Sequence, residues 1–339
     1  MRISNSPLKR ELCNHYSGNS TNLIGKVPAI SKKHYRIIKG VSVGGDAPKE
    51  LVRIYEYEQG IKRADKPNTW PIYIVKTGHK YYPIESITEH LLNRIGQEIG
   101  LKMAESRLCY INGQLRFMSR LFRHSRDQML VHGADLYSGY LGDKKFVEEI
   151  EEKQLSRQFF TVTFTYDALR QMYPHQAEDI FFQFVHMLVF DALVGNNDRH
   201  YYNWGILKNI RGKHQPEFSP IYDTARALFW NTGEAHFSKF LKDANAKRKF
   251  LEKYTRNSKP KTGVEKNDDP NHRDLIAILC SNRFENTKEI VEEMIYEENR
   301  MKIDALINNE FAHLLSEQRR AFITECLSLR FDMLKKEII

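Results

Sequence analysis

The sequence predicts an α+β chain in two lobes: a small β-rich N-lobe over 35–121 and a larger helical C-lobe over 122–339, behind a polar arm of residues 1–34. Three observations carry this. The length of 339 residues suits about two domains or lobes. From Tyr35 to Arg120 apolar residues alternate and turn residues punctuate them. Beyond Phe122 the apolar spacing becomes helical.

Composition narrows the class. Hydrophobic residues make up 41% and charged residues 28%, enough apolar side chain for a core, which excludes disorder over most of the length. Only Cys13, Cys109, Cys280 and Cys326 are present, far apart in sequence, so a disulfide scaffold is excluded and free thiols in a reducing compartment are expected. No apolar stretch reaches ~18 residues, and no apolar run follows Arg2, Lys9 and Arg10, so neither a membrane span nor a secretory signal is expected. The expected location is cytoplasmic. Lys+Arg number 52 against Asp+Glu 43, a net +9, which suits nucleic acid, a phosphate-bearing ligand or an acidic partner alike.

The elements follow in order. Tyr35 to Ile38 and Leu51 to Tyr55 read as a hairpin around Gly44-Gly45. Trp70 to Lys76 reads as a buried strand. Leu91, Leu92, Ile95 and Ile99 recur at helical spacing, stopped by Gly100. Ser106 to Ile111 and Gln114 to Met118 flank Asn112-Gly113, a strong hairpin signal. The small lobe is thus five strands and one helix. In the second lobe, Phe146 to Leu155, Tyr166 to Met172 and Ile180 to Val194 read as helices, the last buried in the core. A short strand follows at Trp204 to Leu207. The polar stretch Thr255 to Arg273 reads as a mobile surface loop, and amphipathic helices follow from Ile276. His124, His132 and His175 lack metal-ligand spacing, and Ala246 to Lys253 reads as a solvated helix face.

The sharpest feature is Gly195-Asn196-Asn197-Asp198-Arg199-His200-Tyr201-Tyr202-Asn203-Trp204-Gly205, with Asp223 twenty residues after Asn203. Asn-Asn-Asp alone is also a plain turn. Phosphoryl transfer, however, needs a carboxylate beside the attacking hydroxyl and oxygen-bearing side chains to hold Mg²⁺. Asp198, Asn203 and Asp223 supply that set, and Asp-Arg echoes the catalytic loop of protein kinases. Upstream, the glycine turn offers backbone N–H groups for phosphates. Lys76 ends a buried strand, with Glu89 thirteen residues on at the head of a helix.

On these residues the chain resembles the HipA-like serine/threonine kinases, including their shorter stand-alone members, from about Gly40 to the C-terminus. The resemblance implies a bilobal protein-kinase-like fold, ATP and Mg²⁺ as cofactors, and a protein substrate phosphorylated on Ser or Thr. It makes Asp198 the catalytic aspartate, Lys76 the phosphate-contacting lysine and Glu89 its partner. It implies nucleotide contacts along His200 to Asn203, and Mg²⁺ ligands at Asn203 and at Asp223 of Tyr222-Asp223. Ser42 to Lys49, with Gly44, Gly45, Asp46, Ala47, Pro48 and Lys49, matches the phosphate loop, and Ser42 the autophosphorylated, regulatory position. Phe117 to Leu121 matches the adenine-binding hinge, with Met118, Ser119 and Leu121 contributing backbone groups. A toxin or effector role and an antitoxin partner are implied by the full-length toxins, which carry an extra N-terminal subdomain; only about forty residues precede the loop here. Nucleic acid enters only indirectly. Two other readings stay open: a phosphoinositide-type lipid kinase with the same site, and a catalytically silent nucleotide- or nucleic-acid-binding partner protein.

Overall fold

Alternating apolar side chains build a six-stranded sheet from β1 (Ala29–Ile30), β2 (Tyr35–Ile37), β3 (Lys49–Ile54), β4 (Ile72–Thr77), β5 (Ser106–Ile111) and β6 (Gln114–Arg120), in the order β1-β5-β6-β4-β3-β2. The structure, a computed structural model, describes residues 23, 25–40, 49–56, 65–78, 84–123, 127–212, 214–240, 243–281 and 283–338. Ser42 to Pro48 of the expected phosphate loop, and Met1 to Asn22 of the expected arm, lie outside them. All neighbours pair antiparallel except β1, which runs parallel to β5. That sixth strand is not expected from the sequence, where the first ~30 residues read as a loose tail. Two residues are too few to show a period, and the strand is fixed by pairing at the sheet edge, with Leu23 and Val27 buried beside it. Asn112 and Gly113 both take positive φ, 54° and 70°, which closes the β5–β6 hairpin.

The two faces of the sheet do different jobs. Tyr35, Val52, Tyr73, Val75, Ile111 and Met118 form a small core on one face. On the other lies α1 (Glu85–Glu98), whose Ile87, Leu91, Leu92 and Ile95 join a core continuous with the helical part. The two-residue period of β4 puts Lys76 on the face opposite Tyr73 and Val75, the face that α1 covers.

The helical part contains β7 (Gln128–His132), α2 (Gly133–Leu141), α3 (Lys144–Glu152), α4 (Ser156–Phe159), α5 (Val162–Met172), α6 (Ala177–Val194), β8 (Gly205–Asn209), β9 (Glu217–Phe218), α7 (Glu234–Ser238), α8 (Ala244–Asn257), α9 (His272–Leu279), α10 (Thr287–Met294), α11 (Glu297–Asn309) and α12 (Glu317–Ile338). β7, β8 and β9 form a second small sheet. α6 is apolar nearly all round and buried, as its Phe, Val and Leu content predicts. It ends at Gly195 with φ 76°, where a Cβ would stand 2.3 Å from Arg330 Nη2. Both facts require glycine. Among the described residues no helix is long and apolar enough to cross a membrane, and Cys109, Cys280 and Cys326 are free thiols.

One expectation is corrected here. Thr255 to Arg273 is no mobile surface loop. α8 runs through Asn257, and Ser258, Pro260, Thr262, Gly263, Val264 and His272 are buried. The polar groups are used internally: Ser258 Oγ donates to Gly195 C=O at 2.8 Å, and Arg157 Nε to Pro260 C=O at 2.7 Å. Gly263 exchanges backbone hydrogen bonds with Phe160 and Val162. Low apolar content marks a solvated loop only when its polar groups face water.

Candidate active site

The first half of the site is built on neighbouring strands. Lys49 and Lys76 are direct cross-strand partners in the β3–β4 ladder, so both side chains leave the same face. Lys76 Nζ lies 2.5 Å from Glu89 Oε1 and 2.8 Å from Asp223 Oδ1; Lys49 Nζ lies 3.2 Å from Asp223 Oδ2. Two ammonium groups thus bracket one carboxylate. Burial alone would raise the pKa of Asp223, but Lys76 and then Lys49 outweigh it and hold the carboxyl well below the usual range. Burial would likewise lower Lys76, and Asp223 and Glu89 turn that into a rise. Glu89 is pushed up to about 7 by burial, against the pull of Lys76. Of the two carboxylates it is therefore the first to take a proton as the pH falls.

The second half is the loop after α6. Asp191, in the last turn of that helix, is buried and accepts from Arg199 Nε at 2.8 Å and Nη2 at 3.1 Å. Arg199 Nη1 donates to Asn203 C=O at 2.8 Å and Tyr222 C=O at 2.5 Å. One guanidinium therefore joins α6, the Asp198 loop and the Asp223 segment. Asn196 adds to this: its Nδ2 donates to Asp191 at 2.9 Å, and its Oδ1 accepts from Asp198 N at 3.1 Å. Asn203 Nδ2 donates to Asp198 C=O at 2.9 Å. The Asp198 side chain, 41% exposed, projects from this rigid loop with Arg226 Nε 3.8 Å from its Oδ2. A half-exposed carboxylate on a buried scaffold suits a group that meets an incoming hydroxyl.

The structure brings together Lys49, Lys76, Glu89 and Asp223, and it joins Asp198 to Asn203. Arg199 links the two sets, and His200 feels the charges of both Asp198 and Asp223, while burial keeps its pKa below normal. Tyr222 turns its hydroxyl away from the carboxylates, 3.0 Å from His132 Nδ1 and 3.2 Å from Tyr202 C=O. Met118 and Ser119 sit within β6 between β4 and β5, and Leu121 N donates to Ile72 C=O at 2.8 Å. The crossing between the sheet and the helical part thus begins at Leu121. Asn203 spends an amide N–H on Asp198 C=O, its Oδ1 carries lone pairs that can coordinate a cation, and Asp223 is held ionised. This pair fits a hard, oxygen-seeking cation such as Mg²⁺ when nucleotide phosphates complete its shell.

Sequence reading misses Asp191 as a partner of Arg199, gives Asn196 of the motif no role of its own, and misses Arg226 and His272. The one available signal is the acid at 191 within the otherwise apolar run Met187 to Val194, since a buried carboxylate demands a cation. His272 Nε2 donates to Asn196 C=O at 3.0 Å, while its buried Nδ1 has no hydrogen-bond partner. Burial first, then Arg330, lowers its pKa from 6.5 to about 3. The unfolded chain therefore takes a proton below about 6.5 that the folded chain refuses until about 3, and stability is lost as the pH falls through that window. His272 by itself is expected to cost about 2 kcal/mol of stability at pH 5 relative to pH 7, while Glu89, whose pKa is raised in the fold, contributes in the opposite direction over the same range. Urea unfolding at the two pH values checks it: wild type should lose about 2 kcal/mol more than His272→Gln between pH 7 and pH 5, and the same change in both proteins would refute it.

Comparison with known proteins supplies the family. The profile described as "HipA-like C-terminal domain" matches residues 41–299. No match is found among curated proteins. Among solved structures, the Helicobacter pylori proinflammatory kinase CtkA is similar at TM-score 0.68 and 18% identity, covering 92% of this chain and 98% of that one. HipA of Shewanella oneidensis MR-1, solved with HipB and operator DNA as a toxin–antitoxin system, is similar at TM-score 0.50 and 14% identity, covering 91% and 73%. The sheet-and-helix architecture is thus the α+β fold of kinases, and the chain belongs to the family of HipA-like C-terminal domains.

Proposed function

We propose that this chain is a HipA-like protein kinase, with lobes at 35–121 and 122–339, that transfers the γ-phosphate of ATP to a Ser or Thr hydroxyl. The observation that carries the reading is the pair of lysines on Asp223, with Lys76 also held by Glu89, beside a loop that fixes Asp198 and Asn203. In this reading Lys76 and Lys49 receive the nucleotide phosphates, and Glu89 keeps Lys76 aimed. Asp198 orients the acceptor hydroxyl and takes up its proton. Asn203 and Asp223 would hold Mg²⁺, which when bound supplies positive charge against the phosphates. The hinge Phe117 to Leu121, at the end of β6, would receive adenine. Ser42 is the proposed autophosphorylation site: about −2 of added charge would repel its loop from the nucleotide. An antitoxin is the partner class suggested by HipB on the Shewanella HipA.

The test is incubation with γ-labelled ATP, Mg²⁺ and cell lysate. Asp198→Ala is expected to cut label transfer by roughly 10²- to 10⁴-fold, with melting unchanged because the side chain is half exposed. Retained transfer in Asp198→Ala defeats the assignment. Label found in phosphoinositide vesicles and in no protein would favour the lipid-kinase reading. Mass spectrometry of the same reaction checks Ser42.

A further inference from the structure

We propose that Arg226 is a positioning residue for the acceptor side of the reaction, held by Glu85 as Lys76 is held by Glu89 on the nucleotide side. This rests on the kinase reading above. Glu85 and Glu89 are one helical turn apart on α1, so they share a face. Glu89 takes Lys76. Glu85 Oε1 lies 3.5 Å from Arg226 Nε, and the same Nε lies 3.8 Å from Asp198 Oδ2. One helix of the sheet lobe therefore carries two anions, one for the cation at the nucleotide and one for the cation at the catalytic carboxylate.

Arg226 is also held by its ring and backbone contacts. Its guanidinium lies over the Trp230 ring at 3.9 Å from the centroid, which fixes its plane. Its own C=O accepts from Asn197 N at 3.3 Å, which ties its backbone to the Asp198 loop. The contact engages Oδ2 of Asp198 and leaves Oδ1 for an acceptor hydroxyl. His200, two residues beyond Asp198, is kept toward the neutral form by burial. A guanidinium stays charged throughout the working pH range, so Arg226 supplies a permanent positive charge beside Asp198. Because Glu85 belongs to the sheet lobe and Asp198 to the helical part, the aim of the catalytic carboxylate depends on how α1 is seated.

The test separates rate from nucleotide binding. Turnover is measured as label transferred from γ-labelled ATP to the protein itself and to casein, and affinity with a fluorescent ATP analogue. Arg226→Ala is expected to lose roughly 10- to 100-fold in kcat, while nucleotide affinity stays at the wild-type value; some fall in melting temperature is expected, because the buried Glu85 loses this cation and Trp230 its packing partner. Arg226→Lys should recover part of the rate. Glu85→Gln should lose less than Arg226→Ala, and the double variant no more than Arg226→Ala alone, because Glu85 acts through Arg226. Glu89→Gln should instead weaken nucleotide binding. Wild-type turnover in Arg226→Ala, with Asp198→Ala dead, overturns the proposal; so does parallel loss of nucleotide affinity and rate. Should Arg226→Ala not fold, Arg226→Met and Arg226→Lys, which keep the aliphatic stem over Trp230, carry the comparison, and equal rates in those two overturn it. Turnover retained in Asp198→Ala removes the kinase reading and this inference with it.

Discussion

Asp223→Ala is expected to do two things at once: reduce phosphoryl transfer by roughly 10³-fold or more and destabilise the fold by about 3 kcal/mol. The first follows from its proposed place as a Mg²⁺ ligand. The second follows from its neighbours. Lys49 and Lys76 are both largely buried and share this carboxylate; without it they face each other with Glu89 alone to balance them. Asp198 is different, because its side chain is 41% exposed and Arg226 keeps Glu85 when it is gone. From the sequence the two aspartates look like equivalent tests of the site. The structure makes Asp198→Ala the clean one. Label transfer together with urea unfolding checks this, and an Asp223→Ala protein as stable as wild type would contradict it.

Arg199→Met should have the largest effect on stability, a loss of about 3–5 kcal/mol, because it strands the buried Asp191 carboxylate without its ion-pair partner. The substitution also takes the shared donor from Asn203 C=O and Tyr222 C=O, so both loops lose their common fastening. Melting should fall by roughly 5–10 °C, and turnover should fall with it. An unfolding free energy within about 1 kcal/mol of wild type would show that Arg199 is not the fastening it looks like.

How much of this was legible in the sequence depended on whether a residue's role is local. The β5–β6 hairpin was legible because Asn112-Gly113 dictates its own turn. Lys76 and Glu89 were legible because a strand end and a helix head are each visible as patterns, and their 2.5 Å contact follows once both are placed. Asp198 and Asn203 are five residues apart in one loop. By contrast, β1 exists only through its pairing with β5. The stretch from Ser258 to His272 looks solvated until Gly195, Asn196 and Phe160 are found to use its polar groups. Arg226 has no local signature; its meaning comes from Glu85, 141 positions earlier in the chain, and from Asp198.

α12 carries one further consequence. Arg330 is completely buried against Gly195 and donates to Ala192 C=O at 3.0 Å and Thr255 C=O at 3.4 Å. From the same helix, Arg319 reaches Phe229 C=O at 3.1 Å and Glu234 at 2.6 Å, and it also donates to Thr232 C=O. The family-profile match ends at 299, well before either arginine, although the structural likeness to CtkA covers 92% of the chain. A recombinant fragment trimmed to that matched region would keep Lys76, Asp198 and Asp223 yet lose the struts behind the loops that bear the two aspartates. The profile match therefore marks out a narrower stretch than the mechanical unit, and expression boundaries are best drawn by the second.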